Sequence, residues 1–243
     1  YQIALSEIML QQTQVTRVEP KFEKFVQELP DWADLANAPQ RQVLELWQGL
    51  GYNRRALNLQ RMARVVVDKY DSKLPRDSAA LQDLPGIGPA TTGALLVYVF
   101  NQPVVFIETN IRRVFIHHFF SNQIDVHDKD LLPIIEISLK QNALTPREWY
   151  WALMDYGTYL KTQTPNPNRK SKHRTKQSAF VGSSRELRGK IIKHLLNHPS
   201  STTATLVALA SSELQKKEFC NVIASLVKEQ FVEQTKSNRY TLR

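Results

Sequence analysis

The segment Leu84-Pro85-Gly86-Ile87-Gly88-Pro89-Ala90-Thr91 constrains the fold of this chain more than any other. Two glycines one residue apart admit positive φ and close the chain into a tight hairpin. Pro89 then presets the first turn of a following helix. Exposed N–H groups at that helix start, with the helix dipole behind them, suit an anion, and glycines keep side chains out of a phosphate's way. The pattern is one helix, a glycine hairpin and a second helix. By itself it also fits a plain corner between two helices.

What surrounds the hairpin is helical as well. Apolar residues recur at helical spacing in Val15, Val18, Phe22 and Phe25, and again in Leu59, Met62, Ala63, Val66 and Val67. Further helices are predicted from about Pro89 to Phe100, Asn110 to Phe120, Asp128 to Gln141 and Pro146 to Lys161. Val104-Val105-Phe106-Ile107 is β-favouring but isolated, and reads as an extended buried connector. Trp32, Trp47, Trp149, Trp151 and Cys220 are expected in the core. With 42% hydrophobic residues, the 243-residue chain can fill one large core or two modest ones. No apolar run approaches the ~18 residues needed to span a membrane. The single cysteine excludes a disulfide framework, an iron–sulfur cluster and a cysteine zinc site within the chain. His194 and His198 lie four apart without a third ligand nearby, so no metal is expected. The sequence opens at Tyr1 inside a helical pattern, without Met or a signal peptide, and reads as a trimmed cytoplasmic protein.

The net charge of +9 is unevenly placed. Residues 1–160 hold 16 basic and 18 acidic side chains, whereas 161–243 hold 16 basic and 5 acidic ones. This balance points to a polyanionic partner, nucleic acid first. The excess begins in a Pro/Asn-rich stretch with Arg169, Lys170, Lys172 and Arg174, which reads equally as a solvated tether or a phosphate-tracking loop. After it, Ser183-x-x-Glu186 forms a capping box for a helix through Leu196. A short helix near Ala204–Ala210, another over Gln215–Glu229 and a hairpin at Phe231–Leu242 complete a module resembling a winged helix, which serves DNA or protein contacts.

Two carboxylates stand out. Glu7, in Leu5-Ser6-Glu7-Ile8-Met9-Leu10-Gln11-Gln12-Thr13, sits among apolar residues. Burial there raises a carboxyl pKa and fits it for acid–base work, although an exposed helix carboxylate is the plainer reading. Gln11 and Gln12 are uncharged donor–acceptors of the kind that fill a gap in a base stack. Glu108, in Phe106-Ile107-Glu108-Thr109-Asn110-Ile111-Arg112-Arg113, follows an apolar run just before a helix that Thr109 or Asn110 is expected to cap. It can stabilise a cation or compensate the helix dipole.

Together with Leu46-Trp47-Gln48-Gly49-Leu50-Gly51-Tyr52, Arg55 and Asp155-Tyr156-Gly157, these strings resemble the adenine DNA glycosylase (MutY) branch of the helix-hairpin-helix DNA glycosylase superfamily, over about residues 1–160. The resemblance implies a mainly α, two-lobed core at 1–161, a basic linker at 162–182 and a winged-helix-like α+β domain at 183–243. It implies a monofunctional DNA glycosylase of base-excision repair that hydrolyses the N-glycosidic bond of a flipped-out purine, mispaired adenine first. An oxidised purine such as 8-oxoguanine, or a catalytically silent role in binding damaged DNA, are the alternatives. Glu7 then protonates the purine and activates water, Glu108 stabilises the oxocarbenium sugar, and Asn110 helps hold the catalytic site. Gln12 and Tyr52 wedge into the duplex, with Gln11 and Arg55 beside them. Gly86, Ile87, Gly88, Ala90 and Thr91 meet a phosphate. The implied partner is double-stranded DNA with a mispaired or damaged base, bound by a monomer away from any membrane.

The departures from that family are specific. The family usually has aspartate where this chain has Glu108, and one extra methylene moves the charge by about 1.5 Å, a displacement large enough to matter in catalysis. Bifunctional relatives such as endonuclease III carry a lysine nucleophile at the position of Ala90, which excludes a Schiff base from that position. The family's four cluster cysteines fall at Lys161, Asn168, Ser171 and Gln177. No cofactor is therefore expected, with a monovalent cation at the hairpin left open. In place of the family's Nudix-like C-terminal domain, only the winged-helix-like module is expected after the linker.

Overall fold

The computed structural model describes residues 1–173 and 179–243 and divides the chain into two compact units. Arg174 and Gln177, expected at a phosphate and at a cluster-loop position, lie outside the described residues.

The first unit opens with α1 (Gln2–Leu10), α2 (Val15–Glu28), α3 (Trp32–Asn37), α4 (Gln40–Trp47) and α5 (Arg54–Tyr70). Asp31 caps α3 by accepting from the N–H groups of Ala33 and Asp34. Leu5, Met9, Phe25, Leu35, Leu44, Trp47, Leu59 and Met62 are fully buried, which gives this unit its apolar interior.

The second unit spans α6 (Ser78–Gln82), α7 (Pro89–Tyr98), α8 (Thr109–Phe119), α9 (Asp128–Gln141) and α10 (Pro146–Gln163). Its core gathers Phe106, Ile111, Phe115, Ile135, Trp149 and Tyr150. The connector 104–107 forms neither strand nor helix; Phe106 is buried and its N–H is donated to the Tyr150 hydroxyl at 3.1 Å. Two glycines permit its close packing. A Cβ on Gly93 would collide with Phe106, and one on Gly157 of α10 would lie 2.5 Å from the Asn110 carbonyl oxygen.

The stretch after α10 is more ordered than its composition predicts. Pro167–Lys170 makes a 3₁₀ turn, with Pro167 and Asn168 buried. The Asn168 amide donates to the Thr109 carbonyl at 2.8 Å. Val126 pairs with this stretch in both directions, its N–H on the Lys170 carbonyl and its carbonyl accepting from the Lys172 N–H. Side-chain amides thus hold a segment whose Pro and Asn content reads as unstructured.

The chain then returns to the first unit with α11 (Ser184–Asn197), β1 (Ser201–Thr202), α12 (Thr203–Val207), α13 (Glu213–Lys228), β2 (Val232–Gln234) and β3 (Arg239–Leu242). The antiparallel sheet has the order β1-β3-β2, with Val232 opposite Leu242 and Ser201 opposite Tyr240. The predicted hairpin is present, and β1 adds an edge too short to show in the sequence. Ser183 caps α11, while the Glu186 carboxylate takes the Gly182 N–H rather than that of Ser183. This module is fastened to α4 and α5 at helix C-termini. Arg41 donates to the carbonyls of Leu195 and Leu196, and Arg54 forks onto Glu229 at 2.8 and 3.0 Å, with Arg188 on the same carboxylate at 2.8 Å. Burial alone would raise the Glu229 pKa, but the hydrogen bonds from Arg54 and Ser225 and the Arg188 charge hold it at about 2.

Two core expectations fail. Trp151 is half exposed and Cys220 is exposed. The buried face of α13 is set by Gln215, Phe219, Val222, Ile223 and Leu226, and Cys220 stands one step, about 100°, off Phe219. Trp149 is buried on α10, which turns Trp151, two residues on, to the opposite side.

Candidate functional site

In the first unit the predicted residues converge on the end of α1. Glu7 is half-buried between the fully buried pairs Ala4–Leu5 and Ile8–Met9. The helix stops at Leu10, and Gln12 takes a left-handed backbone with φ +54°. Across from it, the loop after α4 has Gly49 at φ +91°, Gly51 at φ +73° and Tyr52 at φ +45°. The two residues expected to enter a duplex, Gln12 and Tyr52, are therefore both exposed and both held in a conformation that side chains rarely adopt.

Arg55 holds them there. Its Nη1 donates to the carbonyls of Ile8, Met9 and Gln11 at 2.9, 2.9 and 2.6 Å. Its Nη2 donates to the Thr13 hydroxyl at 2.9 Å and to the carbonyls of Leu50 and Gly51. Burial and the nearby Arg17 charge bring its pKa down to about 10, against a contribution from Tyr52 in the other direction. Expected as a DNA contact, Arg55 faces the protein's own carbonyls, so its structural part is to tie both loops together. The sequence could not show this, because its acceptors are backbone atoms of any residue type.

In the second unit, Gly86 takes the hairpin's positive φ of +83°, while Gly88 stands at φ −106° as the residue before α7. Gly86, Gly88 and Ala90 are exposed and Thr91 is half-buried. A Cβ on Gly88 would meet nothing in the protein, so the fold does not demand glycine there. The Ile87 side chain is buried and its N–H closes on the Leu84 carbonyl at 3.1 Å; it anchors the hairpin from beneath.

Glu108 caps its own helix. One carboxylate oxygen accepts from the N–H groups of Asn110 and Ile111, at 2.5 and 2.9 Å, so neither Thr109 nor Asn110 is the cap. Burial raises its pKa, and this outweighs the opposing backbone hydrogen bonds and the Arg112 charge. Asn110 is fixed by Arg113, whose guanidinium is buried and donates to the Asn110 carbonyl-type oxygen at 2.6 Å, to the Gly157 carbonyl and to Asn166. Arg113 is a site-forming residue that sequence reasoning missed. Arg112 beside it forks onto Asp128 at 2.6 and 2.7 Å.

Of the basic segment, Arg169 and Lys172 are exposed, whereas Lys170 donates to the Ser121 carbonyl. Asn168 and Ser171 occupy positions where the resemblance implies cluster cysteines. Both are buried, the Asn168 amide is spent on Thr109, and neither can ligate iron as thiolate does, so these residues do not fit a cluster. Among the described residues no group of three or more His, Cys, Asp or Glu side chains could hold a metal ion. Nor is any described helix long and apolar enough to cross a membrane.

A glycine hairpin between two helices, followed by a carboxylate that caps the next helix, defines the class. The chain belongs to the HhH-GPD superfamily of base excision DNA repair proteins, whose family model matches residues 5–131. Within it, the chain is 34% identical over 66% of its length to an adenine DNA glycosylase of Buchnera aphidicola subsp. Baizongia pistaciae, and spans 45% of that relative. It is 30% identical over its whole length to an adenine DNA glycosylase of Mycolicibacterium smegmatis, and spans 87% of it. Among solved structures, a thermostable thymine-DNA glycosylase superimposes with a TM-score of 0.58 at 29% identity, over 71% of this chain and 77% of the other. A non-covalent endonuclease III–DNA complex shares the fold, with a TM-score of 0.52 at 22% identity.

Proposed function

We propose that this chain is a monofunctional DNA glycosylase that removes mispaired adenine from double-stranded DNA. What supports the reading most is the end of α1. There a half-buried carboxyl, Glu7, lies one turn from Gln11 and Gln12, and Arg55 presents Gln12 and Tyr52 outward. The relatives named adenine DNA glycosylases supply the base.

The chemistry follows from the groups. A paired base is out of reach, so the nucleotide leaves the stack at a cost of a few kcal/mol, and Gln12 and Tyr52 fill the gap. The exposed start of α7 offers N–H groups and a positive helix end to a backbone phosphate. Protonated Glu7 gives its proton to a ring nitrogen as the sugar–base bond breaks, so the electron pair leaves with a neutral adenine. Positive charge builds on the sugar, and Glu108 as a carboxylate stabilises it. Water, giving up a proton to Glu7, adds to the sugar carbon and leaves an abasic site. Ala90 has no amine, so the hairpin contributes no strand scission.

The test uses end-labelled duplexes carrying adenine opposite 8-oxoguanine, adenine opposite guanine, 8-oxoguanine opposite cytosine, uracil opposite guanine and thymine opposite guanine. The thymine arm answers to the thymine-DNA glycosylase among the structural neighbours. Breaks at adenine that need hot alkali are expected. Breaks without alkali would reveal a lyase nucleophile, release at another base would move the substrate, and tight binding without release would make the chain a silent binder. Glu7→Gln should abolish release; full turnover by that variant would refute the acid assignment.

A further inference from the structure

We infer that Arg185, from the C-terminal module, is a positioning residue for Tyr52, and that through it the module serves recognition of DNA. The inference rests on the reading of Tyr52 as a residue that enters the duplex. Arg185 Nη1 donates to the Tyr52 hydroxyl at 2.7 Å, and its guanidinium carbon stands 5.7 Å from the centre of the tyrosine ring. Arg55 stands at the same 5.7 Å from that ring. One exposed phenol with a left-handed backbone is thus gripped by two guanidinium groups, one from α5 and one from α11.

Three features argue that the contact does more than fill space. Arg185 lies in the first turn of α11, where a positive charge opposes the helix dipole, so the dipole does not account for an arginine there. The helix bearing it is fixed to the unit by Arg188 and Glu229 and by Arg41 on its last carbonyls, so the fork is presented from a rigid base. And the ring it holds is exposed rather than core, so order there does little for stability. A tyrosine already fixed in one orientation loses less freedom on entering a duplex, which is how preorganisation raises affinity and rate.

The experiment is a double-mutant cycle on the full chain, with Arg185→Ala, Tyr52→Phe and both together. Three readouts are single-turnover release of adenine opposite 8-oxoguanine, the fluorescence of 2-aminopurine placed beside that adenine, and anisotropy of mismatched against matched duplex. Each single variant is expected to lose about tenfold in release and in the 2-aminopurine rise, the worth of one charge-assisted hydrogen bond. The double variant should lose no more than either, with Tm within a few degrees of the parent. Parental rates in Arg185→Ala, or losses that multiply, would overturn the inference. Should Arg185→Ala fold poorly, Tyr52→Phe alone decides, since it keeps the ring and removes only the acceptor; a parental rate in it overturns the coupling. If the parent releases no base, the glycosylase reading fails separately. The coupling is then read in mismatch discrimination by anisotropy, and no discrimination in the parent, or no loss of it in either variant, overturns the inference as well.

Discussion

A carboxylate that caps its own helix while half-buried is pulled two ways. The helix start and its N–H groups favour the charged form of Glu108, and burial favours the neutral one; burial wins and the pKa rises above 4.5. The folded chain therefore holds that proton more tightly than the unfolded chain. The associated stability is complete below about pH 4.5 and is lost as pH climbs through the raised value. Glu108→Gln removes that loss, so its Tm relative to the parent should climb as pH rises above about 4.5, as scanning calorimetry can record. A flat difference would show Glu108 to be ordinary. The same variant should lower single-turnover release by about 10²–10³, because an amide cannot balance a sugar cation. The residue type was legible in the sequence and its cap was not. Asn and Thr cap helices far more often than Glu, and only the backbone turn at Glu108 shows which side chain reaches the N–H groups.

At the scale of elements, α8 and α10 meet where Gly157 faces Asn110. An added Cβ would sit 2.5 Å from the Asn110 carbonyl oxygen and 2.7 Å from its Cβ, so the helices must part. Gly157→Ala should cost about 1–3 kcal/mol in urea unfolding, as overpacked interiors do, and should lower release by shifting Asn110 and the Arg113 that holds it. Unchanged unfolding midpoints would mean the crossing is loose. Helix existence was readable because a 3.6-residue period is local, and the cap at Ser183 marks a start in the sequence. The order of residues 164–173 was not readable, since Asn168 and Asn166 gain their structure from groups on α8.

At the scale of the molecule, the charge excess from residue 161 onward suits the proposed polyanionic partner, and the structure sorts some of its members. Arg169 and Lys172 are exposed, while Lys170 is occupied by the Ser121 carbonyl. Removing Arg169 and Lys172 together should reduce the slope of log affinity for duplex DNA against log salt by about 1.8, at roughly 0.9 per phosphate contact, whereas Lys170→Ala should leave it unchanged. Titrations at several salt concentrations measure both slopes, and equal slopes in all three proteins would make the segment a tether.

The sequence by itself determined most of the longer helices, the glycine hairpin, the two carboxylates and the basic C-terminal third, because periodicity, caps and charge are carried by neighbouring residues. Only the tertiary structure decided that Arg55 and Arg113 are keystones, that Trp151 and Cys220 face outward, and that Arg185 grips Tyr52. A guanidinium finds its acceptors among backbone carbonyls and hydroxyls far along the chain. Which of them it meets depends on how the helices pack, which no local pattern encodes.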